Sequence, residues 1–160
     1  MESHIKRYAE LSSKERNQIK NLIIEGGEVD AETLAERLSK VDRVSFFVEN
    51  EEIISTASIK IPNLNYKKNT FIKSKSNINS EDFKFELGYI STNMNFQGQK
   101  LASKLCAKLC ELYSNQYVFS TTRINNEFMK SILTKNNFKE IGEEFLNKEK
   151  SNFLKLYLKH

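Results

Sequence analysis

Hydrophobic and polar residues follow a helical period in the first quarter of the chain, after a short β-rich segment at residues 4–8 that predicts a first strand. Ser12 and Glu15 have the spacing of a capping box, so a helix is expected to begin there and to end at the glycine pair 26–27. Asp30 can cap a second helix. The face of this second helix is expected to carry Leu34, Leu38 and Val41.

The pattern then changes to a period of two, which is typical of strands. Residues 43–49 alternate between apolar and polar side chains, and residues 53–61 are rich in β-branched residues after a polar turn. These two segments predict a hairpin that ends at Pro62. Residues 63–82 are dominated by Asn, Lys and Ser without a sustained period, although Tyr66, Phe71 and Ile72 could anchor the segment to the body. They predict a long, partly ordered loop, either functional or simply a solvated connector.

A strand, a helix and a strand are predicted next. Residues 85–92 are β-rich, a helix is expected from near Gln99 to Tyr113, and residues 116–121 are again β-rich. The buried stripe of the helix is expected to contain Leu101, Ala102, Leu105, Cys106, Leu109 and Leu112. A strand–helix–strand unit of this kind is joined in a right-handed sense and has parallel strands, with a ligand site at their carboxyl ends.

The last part of the chain predicts one more helix and two closing strands. The helix is expected over residues 125–136, and Asn137 can adopt the left-handed conformation that ends it. The first of the two strands is expected to start at Phe138, and the second is expected to cover residues 153–158. The inward face of the helix is expected to carry Phe128, Met129, Ile132 and Leu133.

Size and composition place these elements in one domain over residues 1–160. The chain has 39% hydrophobic and 29% charged residues and a net charge of +4, without an arginine-rich arm or an apolar run long enough for a bilayer. We therefore expect a cytoplasmic protein with no secretory signal and no membrane partner. The sequence does not support nucleic-acid binding, and a small nucleic-acid-associated α/β domain is a further alternative. Cys106 and Cys110 are expected to be reduced packing residues, since side-by-side helical positions are poor disulfide geometry and no histidine completes a metal site.

The strongest chemical signal lies at the turn between the strand 85–92 and the following helix. Small and polar residues turn the chain here, and the free amides and positive dipole end of the helix point at one spot. Such a helix start binds phosphate oxygens.

This turn resembles the acetyl-CoA motif of the GNAT superfamily of N-acetyltransferases, which reads Gln or Arg, two residues, Gly, one residue, then Gly or Ala. Gln97 and Ala102 match the ends of the motif, and Lys100 stands where the family usually has Gly. The predicted order of elements follows the family from end to end, including the helix that begins near Asn126 and its exit at Asn137.

The resemblance implies an α/β (or α+β) fold: a mixed, mostly antiparallel sheet of six to seven strands, about four flanking helices and a central parallel strand–helix–strand unit. It also implies that acetyl-CoA is the cosubstrate, that no metal is needed, and that an unidentified amine is the acceptor. If the chain associates, a homodimer is the expected form. The cofactor-binding residues would be Ile90, Ser91, Thr92, Gln97, Gly98, Gln99, Lys100, Leu101, Ala102, Ser103 and Asn126. Asn126 has a second interpretation as a helix-start residue.

Direct acyl transfer to an amine needs a base, and the family places a strand glutamate at the position that matches Glu86. The alternative is that Glu86 is a solvent-facing residue at a strand start. The family's usual acid, a tyrosine, is replaced by Leu133, so Tyr89, Tyr117 or a water would serve, or coenzyme A leaves as a thiolate. The function predicted is acetyl transfer without an acyl-enzyme; a non-catalytic acyl-CoA-binding or interaction module on the same fold is the alternative.

Overall fold

The computed structural model describes residues 1–27 and 29–160 of the chain, and within them seven strands form one mixed sheet in the order β1-β2-β3-β4-β5-β7-β6. The strands are β1 (Glu2–Lys6), β2 (Val41–Glu49), β3 (Glu52–Lys60), β4 (Phe85–Thr92), β5 (Val118–Arg123), β6 (Lys139–Leu146) and β7 (Phe153–Lys159). The helices are α1 (Ser13–Glu25), α2 (Ala31–Leu38), α3 (Leu64–Lys73), α4 (Leu101–Leu112) and α5 (Glu127–Lys135). The predicted fold class is confirmed, with five helices in the described residues where about four were expected.

The chain divides into two compact units. The first unit contains Met1–Ile61 and Leu87–Leu112, and the second contains Pro62–Glu86 and Tyr113–His160. Strand β4 contributes its first two residues to the second unit and the rest to the first. Within the described part of the chain, no helix is both long and apolar enough to cross a membrane.

The first unit is built from β1, the β2–β3 hairpin, most of β4, and helices α1, α2 and α4. Ser12 and Glu15 form the predicted capping box, in which Ser12 Oγ accepts from the Glu15 amide at 3.1 Å and Glu15 Oε2 accepts from the Ser12 amide at 2.9 Å. At the hairpin, Asn50 and Glu51 both have positive φ, as the tight turn requires. The core under α1 and α2 contains Leu11, Ile19, Leu22, Ile23, Leu34, Leu38, Val41, Val44, Phe46 and Ile53.

The second unit contains the parallel pairing of the sheet. Phe85 pairs with Val118 and Glu86 with Phe119 in a parallel register, while β7 runs antiparallel between β5 and β6. The parallel strand–helix–strand unit predicted from the sequence is therefore present. The core of this unit is a cluster formed by Phe71, Phe83, Phe119, Phe145, Leu156 and Leu158.

The prediction of a long loop over residues 63–82 was wrong, because α3 and a 3-10 turn at Ser80–Asp82 lie in this segment. Asn63 caps α3 by accepting from the amides of Asn65 and Tyr66 at 2.8 and 3.3 Å. The buried face of α3 is largely polar and contains Lys67, Thr70, Phe71 and, at the C-cap, Ser74. The helix therefore lacks the apolar period by which a buried helix is normally detected.

Several smaller predictions also need correction. The first strand lies at Glu2–Lys6 rather than residues 4–8, and Val41 begins β2 instead of extending the face of α2. Leu112 and Phe128 were expected in buried stripes but are 55% and 59% exposed, since each lies at the end of its helix. Strand β5 begins at Val118, two residues later than expected.

Candidate functional site

The turn that leads from β4 into α4 is shaped by local hydrogen bonds. After Thr92 the chain forms a 3-10 turn at Met94–Phe96, which Asn93 caps by accepting from the Asn95 amide at 2.9 Å. Gln97 Nε2 then donates to the Thr92 carbonyl at 3.4 Å. Gly98 and Lys100 both have positive φ, 82° and 60°. Helix α4 starts at Leu101, two residues later than predicted, because the left-handed conformation of Lys100 interrupts the helix before that point.

Helix α4 differs from the other helices in how it begins. Side chains of Ser12, Asp30, Asn63 and Asn126 accept from first-turn amides of α1, α2, α3 and α5. Among the described residues, no side chain is hydrogen-bonded to the first-turn amides of α4, and its first backbone bond joins the Lys104 amide to the Lys100 carbonyl at 3.0 Å. The amides of residues 101–103 are therefore available to an external acceptor, at the positive end of the helix dipole.

The side chains around this helix start divide into exposed and buried groups. Gln97, Gly98, Gln99 and Lys100 are exposed, and Ser103 is half-buried. Leu101 and Ala102 are 3% and 4% exposed and pack inside the first unit. Of the residues predicted here, these two can therefore offer only backbone groups to a ligand.

The end of β4 is held within the first unit by side-chain hydrogen bonds. Ser91 Oγ donates to the Leu22 carbonyl at 2.8 Å, and the hydroxyls of Thr92 and Ser55 lie 2.8 Å apart. Ile90 is half-buried. Because the hydroxyls of Ser91 and Thr92 are engaged inside the protein, backbone groups are the natural ligand contacts at this edge.

Tyr89 lies in a cationic setting in the first unit. Its backbone has a positive φ of 50°, its ring centre is 4.2 Å from Lys60 Nζ, and its hydroxyl is 3.5 Å from Arg37 Nη1. The contacts of Tyr89 with Arg37 and Lys60 could not be predicted from the sequence, since both residues are distant from Tyr89 in the chain.

Glu86, the predicted base, is buried in the second unit with only 3% of its surface exposed. It is therefore not the solvent-facing glutamate of the alternative interpretation. The Tyr66 hydroxyl donates to Glu86 Oε2 at 2.7 Å. Burial, followed by the charge of the Glu86 carboxylate, holds the pKa of Tyr66 well above its ordinary value. The phenol is therefore protonated at neutral pH and serves as the hydrogen-bond donor of this pair.

Tyr66 is a functional candidate that the sequence analysis missed, because it lies on α3 in a segment that was predicted to be a loop. As a whole residue Tyr66 is 41% exposed, although its hydroxyl reaches the buried Glu86, and it is also hydrogen-bonded to Thr121. Both Tyr66 and Thr121 line a cavity of about 400 Å³ in the second unit. The Asn63 cap was the one signal in the sequence that could have indicated α3.

The other predicted residues have the following contacts. Asn126 caps α5, since its Oδ1 accepts from the Met129 amide at 3.0 Å, which agrees with its interpretation as a helix-start residue. Leu133 is fully buried and has no proton to donate. Tyr117 is 46% exposed and packs against Phe83 with a ring distance of 5.4 Å.

The two cysteines are buried free thiols on α4, as expected. Burial raises the pKa of the Cys106 thiol, and the neighbouring Cys110 adds to the shift. A thiol of this kind stays protonated and is not a nucleophile. In the described part of the chain, no cluster of three or more His, Cys, Asp or Glu side chains has the arrangement of a metal site.

No protein-family model matches the sequence, and no curated protein matches it closely.

Solved structures resemble the protein over the whole chain. An acyl-CoA N-acyltransferase from Pseudomonas aeruginosa has a TM-score of 0.70 at 12% identity, with 99% of each chain covered. ElaA from Escherichia coli has a TM-score of 0.73 at 13% identity, with both chains fully covered. A GNAT-family acetyltransferase from Streptococcus agalactiae has a TM-score of 0.69 at 15% identity, covering 99% of this chain and 96% of its own. Although the identities are low, the agreement in structure over entire chains shows that this protein has the GNAT fold.

Proposed function

We propose that the protein is an acetyl-CoA-dependent N-acetyltransferase that moves the acetyl group directly to an amine. The observation that carries this proposal is the start of α4. Its first-turn amides have no side-chain cap, and they come after the exposed turn that connects β4 to the helix. In a GNAT fold, this is a helix start suited to a diphosphate.

The pyrophosphate of the cofactor is assigned to the turn and the first turn of α4. Backbone amides of residues 101–103 would donate to its oxygens, and the exposed ammonium of Lys100 would add a positive charge. Gln97, Gly98, Gln99 and Ser103 would complete the contacts, while the backbone of Ile90, Ser91 and Thr92 would bind the pantetheine amides. Asn126, whose Oδ1 caps α5, would contact the cofactor or line its pantetheine arm.

Glu86 is proposed as the base, acting through Tyr66. The ammonium form of the acceptor loses a proton to the Tyr66 oxygen while the Tyr66 hydroxyl proton moves to Glu86 Oε2, so tyrosine stays neutral and the carboxylate becomes a carboxylic acid. The neutral nitrogen then forms a bond to the thioester carbon, and the carbon–sulfur bond breaks. The nitrogen's excess proton passes to solvent water as the amide forms, and the electron pair of the broken bond stays on sulfur, which then takes a proton.

Tyr89 is proposed as the proton donor to that sulfur. Its hydroxyl is 3.5 Å from Arg37 Nη1 and its ring centre is 4.2 Å from Lys60 Nζ, so the phenol is held in a defined position by two cationic side chains. A coenzyme A thiol has a pKa near 8.5, so the thiolate is already a good leaving group and the donor contributes less than the base.

The test is calorimetric titration of acetyl-CoA into the wild type and into the variants Gln97→Glu, Lys100→Ala and Glu86→Gln. Gln97→Glu places a negative charge at the diphosphate site and is expected to weaken binding by about tenfold or more, and Lys100→Ala by several-fold. Gln116→Glu, at an exposed position in the second unit, is the matched charge control and should bind like the wild type.

Acetyl transfer is followed on the same proteins by release of the free thiol over a panel of amines. Glu86→Gln is expected to keep acetyl-CoA binding and to lose roughly 10²–10⁴-fold in rate. Normal binding without turnover of any amine would instead identify a non-catalytic acyl-CoA-binding module. Absence of binding by the wild type would contradict the proposal altogether.

A further inference from the structure

The second unit contains a cavity of about 400 Å³ that the proposed cofactor site does not use. One wall is formed by α3, through Tyr66 in its first turn and Lys73 in its last. The segment that joins β6 to β7 also lines the cavity and contributes Asn147 and Lys148. A volume of this size is typical of sites for small ligands.

The two ends of the cavity differ in chemistry. At one end, Tyr66 and Thr121 present oxygen atoms, and the Tyr66 hydroxyl is hydrogen-bonded to the buried Glu86. Lys73 lies seven residues further along α3, which corresponds to about 10 Å along the helix axis. The cavity therefore combines acceptor oxygens linked to a carboxylate with the ammonium of Lys73 further along α3, and Lys148 adds a second cation to the lining.

We propose that this cavity binds the acceptor substrate, and that the acceptor is a small amine that also carries an anionic group, either a carboxylate or a phosphate. The proposal rests on the assignment of Glu86 as the base of the acetyltransferase. It deepens that assignment by specifying the class of amine.

The charges of the cavity support an anionic group on the ligand. Its lining includes two lysines and no aspartate or glutamate. Lys73 and Lys148 are exposed, and neither forms an ion pair with any residue in the described part of the chain. Two unneutralised ammonium groups attract an anion and repel a polycation, so a polyamine is a poor ligand for this cavity.

The position of Tyr66 supports an amine at the other end. An incoming ammonium group donates hydrogen bonds, and the oxygens of Tyr66 and Thr121 can accept them. Because Tyr66 is already hydrogen-bonded to Glu86, an amine held there is one hydrogen bond away from the proposed base. The anionic group of the same molecule then points toward Lys73.

The apolar residues of the cavity lining favour an aliphatic link between the amine and the anionic group of the ligand. Phe145 and Leu154 line the cavity and belong to, or pack against, the hydrophobic core of the second unit. A chain of methylene groups removes such apolar surface from water, which favours binding. Of the simple amines, an ω-amino acid of moderate length matches these three features.

The experiment compares amines that differ only in the anionic group. The probes are 6-aminohexanoate with its carboxamide, O-phosphoethanolamine with ethanolamine, and putrescine as a purely cationic amine. Their affinities are measured by calorimetry with and without coenzyme A, and their acetylation is measured by thiol release. The variants are Lys73→Gln, Lys148→Gln and the double variant, with Lys139→Gln as a control at an exposed lysine outside the cavity.

We expect the anionic member of at least one pair to bind about tenfold more tightly than its neutral partner, and the pair that does so distinguishes carboxylate from phosphate. The double variant should remove this preference and Lys139→Gln should retain it. Equal or tighter binding of the neutral amines or putrescine, persistence of the preference in the double variant, or no binding of either anionic amine would each overturn the proposal. Because amine binding is also measured without coenzyme A, failure to bind acetyl-CoA would contradict only the proposed transferase activity.

Discussion

At the scale of single residues, Lys100 shows why the turn before α4 usually contains glycine. Its φ of 60° lies in the left-handed region, which costs an L-residue with a side chain about 1–2 kcal/mol. Lys100 therefore has a backbone conformation that glycine would adopt at a lower energetic cost. This fits a lysine whose charge, rather than its conformational preference, is useful at the site.

Lys100→Gly is expected to increase the free energy of unfolding by about 0.5–1 kcal/mol, because the relief of strain exceeds the added chain entropy of glycine. The measurement is urea unfolding of the protein without ligand. Lys104→Gly is the matched control, since Lys104 lies inside α4 with its side chain exposed, and it should lose about 1 kcal/mol. Equal destabilisation by both changes would contradict the role assigned to the backbone of Lys100.

Sequence analysis succeeded for residues whose conformation is decided locally. Ser12 and Glu15 form the capping box, and Asn137 has the predicted positive φ of 68°. It failed for Leu112 and Phe128, which have the right spacing for a buried face but are exposed. Spacing defines a face along an ideal helix, whereas burial at a helix end depends on whether a neighbouring element extends that far.

At the scale of elements, α3 was missed because its buried positions are filled by Lys67, Thr70 and Ser74 as well as Phe71. The hydroxyls of Thr70 and Ser74 bond to backbone carbonyls of their own helix, which satisfies them in the interior. A periodicity search counts these positions as polar. Consequently Glu86 could be proposed as the base from the sequence, but Tyr66, which is hydrogen-bonded to it, could not be found.

The end of α3 is fixed to β6 at Gly142. The Ser74 carbonyl accepts from the Glu143 amide at 2.6 Å, and a Cβ atom on Gly142 would lie 2.1 Å from the same carbonyl oxygen. Gly142→Ala is therefore expected to lower the free energy of unfolding by about 3 kcal/mol or more, as strained backbone and overpacking add. Thermal and urea unfolding measure this loss.

Gly27→Ala is the matched control for this prediction. Gly27 has a φ of 77°, close to the 72° of Gly142, but a Cβ atom there would meet nothing within 4 Å. It should therefore show only the conformational cost of about 1 kcal/mol. If the two variants lose the same stability, close contact with Ser74 is not what requires glycine at position 142.

At the scale of the whole molecule, the sequence predicted the order of elements and the parallel strand–helix–strand unit better than it predicted the pairing of the closing strands. Phe119 pairs with Leu158, and Leu158 in turn pairs with Lys139. These partners are 39 and 19 residues apart (158 − 119 and 158 − 139). A period of two shows that a strand exists but carries no information about which distant strand it joins.

Acetyl-CoA is expected to raise the midpoint of thermal unfolding of the protein. A ligand at about 100 times its dissociation constant adds about 2.7 kcal/mol to the native state. For a chain of this size, that corresponds to an increase of roughly 5–10 °C. Adenosine, which lacks the diphosphate, is the control ligand and should produce no comparable increase. The Gln97→Glu variant should show a smaller rise in its midpoint on addition of acetyl-CoA than the wild type shows.

The missing side-chain cap on α4 also has a consequence for hydrogen exchange. Amides that lack a protein acceptor exchange their hydrogen with solvent rapidly, whereas a capped amide must wait for local opening. In the ligand-free protein, the amides of residues 101–103 should therefore exchange faster than the Glu15 amide at the start of α1, which Ser12 protects. Acetyl-CoA should slow exchange at 101–103 and leave Glu15 unchanged, and mass spectrometry or NMR can follow both segments in one experiment. An equal exchange rate in the two helix starts without ligand would show that the α4 amides already have a partner.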